Sequence, residues 1–148
     1  NKFIIVSDVN EFGLFEKKEA KLIRAEAIRT LEHADLLSDK DRTKVAKSLF
    51  TKVIKCIAQI DGVPPGPKLD KIMKKQLSDA TKERQKNITH LEESNPKWIE
   101  SALLESFLMM NSGIFGSKLS QDSILIGNWC RENMSQKDLE KLEKKLSK

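Results

Sequence analysis

Between residues 44 and 60 the apolar side chains return every three or four positions, and this periodicity restricts the fold more than any other feature of the chain. At about 100° per residue, Val45, Ala46, Leu49, Phe50, Val53, Ile54, Cys56, Ile57 and Ile60 occupy one half of a helical wheel. Lys44, Lys47, Lys52 and Lys55 occupy the other half together with Ser48, Thr51 and Gln59, and no acidic residue interrupts them. Such a segment is a helix with one face for a core and a cationic face for its polar side.

The same logic extends in both directions. Ser38 followed by Asp41 forms a capping box that starts this helix, and the sequence DGVPPGP at 61–67 ends it, with Gly62 as a cap and three prolines that deny backbone donors. Apolar periodicity resumes at once with Leu69, Ile72, Met73, Leu77, Ala80, Ile88 and Leu91, opposite Lys71, Lys74, Lys75, Lys82 and Lys86. Upstream, residues 14–37 lack Pro and Gly and form another helix. Asn95-Pro96 opens a helix through Asn111 that is apolar almost all round, the pattern of a helix at the centre of a bundle. Ser120 and Ser135 cap two more helices, the last ending in a charge-rich tail.

With 148 residues, 39% hydrophobic content, six Gly, four Pro and no Tyr, the expectation is an all-α fold, a single-domain bundle of about six helices over residues 1–148. The apolar run KFIIV at 2–6 lacks a partner strand and is expected as a short N-terminal extended arm or a first helical turn on the core. The first residue is Asn1 rather than Met, so the chain reads equally as a fragment of a longer protein. No apolar run is long enough for a membrane span, and the expectation is a soluble chain, intracellular in preference to secreted. Cys56 and Cys130 show no metal-ligand spacing and are expected as buried thiols; a disulfide between them, like use of the sequons at Asn87 and Asn133, requires a secretory setting. No motif calls for a cofactor or a metal.

Charge is distributed unevenly. Residues 40–86 hold thirteen Lys/Arg against five Asp/Glu, whereas the whole chain carries only +5. One-signed helix faces on a nearly neutral body fit an acidic polymer, and the favoured reading is non-enzymatic binding of RNA or DNA through Lys44, Lys47, Lys52, Lys55, Lys71, Lys74, Lys75, Lys82 and Lys86. Phe50 is the only aromatic residue in the stretch and lies on the apolar side, and lysine outnumbers arginine by eleven to two. Base stacking and bidentate guanine readout are therefore disfavoured, leaving backbone contacts of weak sequence preference.

Two other functions are compatible with the residues. A protein-interaction module would set the same lysines against an acidic protein surface, or dock a helical partner, with Ile114 and Phe115 between Gly113 and Gly116 as apolar contact residues. The spacing Arg84-Gln-Lys-Asn-Ile-Thr-His90 resembles the Arg-x4-6-His motif of HEPN-type helical ribonucleases. That resemblance implies an Arg/His pair acting in metal-independent RNA cleavage across a dimer. The seven residues depart from the family pattern at Gln85, where Asn is frequent, and no other catalytic grouping accompanies them. Binding is accordingly preferred to catalysis.

Overall fold

The computed structural model describes residues 2–63, 66–89, 94–112 and 119–147, with side chains described for all of these except 2–17 and 60–61. Six helices account for the described architecture: α1 (Lys2–Ala34), α2 (Asp39–Gly62), α3 (Pro67–Ile88), α4 (Pro96–Asn111), α5 (Gln121–Glu132) and α6 (Gln136–Leu146). The all-α bundle read from the sequence is what forms, and four starts fall on the anticipated caps. Ser38 accepts from the Asp41 amide at 3.2 Å, Ser120 from Asp122 at 3.3 Å and Ser135 from Asp138 at 3.1 Å. Asn95 accepts from the amides of both Lys97 and Trp98, at 2.9 and 3.2 Å, and Pro96 follows as the first helical residue.

The extended arm does not form. Residues 2–6 belong to α1, which runs unbroken from Lys2 through Asn10 and Gly13. A lone extended segment leaves its amides and carbonyls without partners, whereas a helix satisfies them within the segment, and one interior glycine costs only about 1 kcal/mol.

Helix α4 is the centre. It packs against α1, α2, α3 and α5, and it buries Trp98, Ile99, Ser101, Ala102, Leu103, Ser106, Phe107, Leu108 and Asn111. Around it α1 contributes Ala27 and Ala34, α2 contributes Val45, Leu49, Phe50 and Val53, and α3 contributes Leu69, Met73 and Ala80. Helix α6 rests on α2 and has no fully buried residue, touching the core through the half-buried Leu139, Leu142 and Leu146. Helices α2 and α3 both lie on α4 and meet chiefly through side chains. Cys56 Sγ donates to Gln76 Oε1 at 3.3 Å, and Gln76 in turn donates to Gln59.

Gly66 precedes α3 with φ +149° and ψ −169°, a backbone region that only glycine occupies readily. A Cβ there would meet nothing within 4 Å. Gly66→Ala should therefore lower stability through backbone strain alone, by about 1–3 kcal/mol, read as a reduced denaturation midpoint with an unchanged denaturant slope. Leu103 is fully buried on α4. Leu103→Ala should lower stability by about 2–5 kcal/mol in the same measurement.

Candidate nucleic-acid interface

The nine lysines singled out from the sequence are not equivalent once the helices pack. Lys47 forms an ion pair with Asp138 of α6 at 3.0 Å. Lys52 pairs with Glu100 of α4, whose Oε1 also accepts from Ser48 at 2.9 Å. Between residues 44 and 60 the polar side of α2 carries no acid, but two neighbouring helices bring acids to both flanks of it. Lys44, Lys55, Lys71, Lys74, Lys75, Lys82 and Lys86 are exposed, and among the described residues no ion pair engages them.

On α3 the exposed cations form a row. Lys68, Lys71, Lys75, Lys82 and Lys86 fall within an arc of about 60° and extend over about 27 Å of helix. Lys68 was not among the residues singled out above because it sits beside Pro67, at the junction of connector and helix. Lys74 lies off the row, on the other side of the exposed face. Asp79 borders the row on the side facing α2. The lysine faces of α2 and α3 do not merge into one surface, since Asp79 and Glu83 line the α3 side of the gap between the two helices.

Arg84 has a different use from the lysines around it. Its guanidinium pairs with Glu26 of α1 and with Glu105 of α4, the latter at 3.3 Å, and lies 5.8 Å from the ring centroid of Trp98. The rings of Trp98 and His33 meet at nearly a right angle, with centroids 6.5 Å apart. One cation thus ties α1, α3 and α4 together at a largely buried junction, where its side chain is only 17% exposed and that of Glu105 13%. Arg84 Nε and Glu105 Oε2 are buried there without a hydrogen-bond partner. Of the ribonuclease-like spacing, Arg84 is committed to these carboxylates, while His90 lies outside the described residues. Ile114 and Phe115 lie outside them as well.

The thiols of Cys56 and Cys130 are buried and unpaired. Burial pushes Cys56 up to about 11 and Cys130 to about 12, so both stay protonated at neutral pH. Among the described residues no group of three His, Cys, Asp or Glu side chains is placed to hold a metal ion, and no helix is long and apolar enough to cross a membrane. Exposed large apolar side chains are Leu22 and Ile28 on α1, Leu36 in the following turn, Ile88 on α3 and Ile124 on α5.

Asp138 reports on the α2–α6 contact. Its carboxyl is held below the usual carboxylate range, first by the hydrogen bond from Lys47 and then by that from Ser135. A depressed carboxylate contributes stability above its unfolded pKa and loses it as pH falls through the folded value. Lys47→Ala should return the Asp138 titration, followed by carboxyl NMR, toward the ordinary range and weaken the acid dependence of α6 docking. Arg84→Met should cost about 3 kcal/mol in chemical denaturation, because it leaves Glu105 buried without its cation. Glu105→Gln in that background should recover part of the loss.

No family model, no curated protein and no solved structure matches this chain.

Proposed function

We propose that this protein binds the phosphate backbone of RNA or DNA, without catalysis and with weak sequence preference, through the exposed lysine row of α3 and Lys74 of the same helix. The observation that carries the reading is a contrast within one bundle. Acidic side chains reach Lys47, Lys52 and Arg84, yet the α3 row stays exposed and without ion pairs among the described residues. A row of like charges left unneutralised gains most from an external anion whose own charges repeat along a line. Phosphodiester chains have that property, and lysine, a mobile point charge, suits backbone contact better than base readout. Aromatic side chains are absent from the row, which favours backbone contact over base stacking.

The salt dependence of binding provides the test. For a mixed-sequence duplex, three to five phosphate contacts give a slope of log affinity against log salt between about −2.7 and −4.5. Lys75→Ala and Lys82→Ala should each reduce that slope by about 0.9, whereas Lys52→Ala, which removes a cation already paired with Glu100, should leave it unchanged. Absence of binding at about 50 mM salt, or equal effects of all three substitutions, would remove the proposal.

A further inference from the structure

The gap between α2 and α3 is a cavity of about 300 Å³, at the small end of the range for ligand sites. Ala80 of α3 with Leu104 and Leu108 of α4 gives it an apolar floor, and Cys56 and Gln76 close one part of the wall. Its two sides differ in sign. Lys52 and Lys55 line it from α2, and Asp79 and Glu83 line it from α3. Lys52 is held by Glu100, but Lys55, Asp79 and Glu83 have no ion pair among the described residues, so opposite charges face one another across the opening without meeting.

We infer that this cavity binds a small zwitterionic amphiphile, an apolar chain with an anionic group at one end and a cationic group at the other. The anionic end lies against Lys55, the cationic end against Asp79 and Glu83, and the chain covers Ala80, Leu104 and Leu108. A singly charged ligand of the same length pairs with one wall and leaves the charge of the other without a partner, so it gains only one of the two ion pairs that the opening offers. The ligand that matches both walls therefore carries both signs. A volume of this size suits a small molecule better than a partner helix, whose anchoring side chains recur over several turns. The inference is independent of the nucleic-acid reading, because the cavity's carboxylates repel phosphate.

Three probes of equal chain length test it by backbone amide NMR on the whole chain: 8-aminooctanoic acid, octanoic acid and octylamine. The expected result is that the zwitterion shifts the amides of Ala80, Ser101, Leu104 and Leu108 and binds at least fivefold more tightly than either singly charged probe. Lys55→Glu should abolish that preference, and Lys55→Glu combined with Asp79→Lys and Glu83→Lys should restore it with the ligand reversed. The unbound spectra show whether each variant remains folded. Octanoic acid or octylamine binding as tightly as the zwitterion would overturn the assignment. So would shifts confined to other residues, a preference unchanged in Lys55→Glu, or no shift with any probe at millimolar concentration.

Discussion

A helix of sixteen residues with apolar side chains on most sides leaves water only a narrow strip around Lys97 and Glu100. The burial of α4 is therefore the condition that the other helices satisfy, and α1, α2, α3 and α5 each supply one apolar stripe to it. That arrangement explains why α2 and α3 each carry one apolar stripe while α4 is apolar on most sides. It also explains where polar groups had to be accommodated. Asn111, almost fully buried at the end of α4, donates to the Phe107 carbonyl at 2.7 Å and accepts from the Ser120 amide at 3.0 Å. Thr30, equally buried on α1, returns its hydroxyl to the Glu26 carbonyl at 2.8 Å. Both satisfy themselves locally, so the core carries little unmet polarity from them.

The charged residues divide by their distance from that centre. Arg84 and Glu105 lie at the junction of three helices, where a broken pair leaves a buried charge, so this pair fixes how α3 sits on α4. The pairs Lys47–Asp138, Lys52–Glu100 and Arg24–Asp122 lie nearer the surface, and the first and last of them join elements that otherwise share little area. Pairs of this exposure stabilise weakly, but they decide which lysines keep their charge available. The exposed row on α3 is what remains after that division.

Helix number, four of the helix starts and the central helix were legible in the chain. The reason is physical: caps at Ser38, Asn95, Ser120 and Ser135 are local interactions spanning two or three residues, and burial of α4 is written in its own side chains. The first turns of α1 were less legible, since an apolar run of five residues fits a strand or a helix equally and only the absence of a partner strand decides. The cationic faces were visible as faces, but not their neutralisation. Glu100 lies 48 residues from Lys52 along the chain, and Asp138 is farther still from Lys47, so no wheel brings them together. Glu100 and Glu105 stand on one helix, yet each meets a different cation on a different helix. The opposite signs across the α2–α3 gap were similarly hidden, although Asp79 and Glu83 stand one turn apart beside Ala80.

The buried amide of Asn111 also sets how the chain can vary in length. By holding the Ser120 amide, it fixes the distance between the end of α4 and the start of α5 independently of the residues between them. Loop closure grows only logarithmically with length, about 0.6 kcal/mol for each doubling, once the two ends are held. The junction of α4 and α5 thus depends on one buried side chain: with the Asn111–Ser120 bond in place, a longer connection between the two helices costs little, and without it the start of α5 loses its tie to the end of α4.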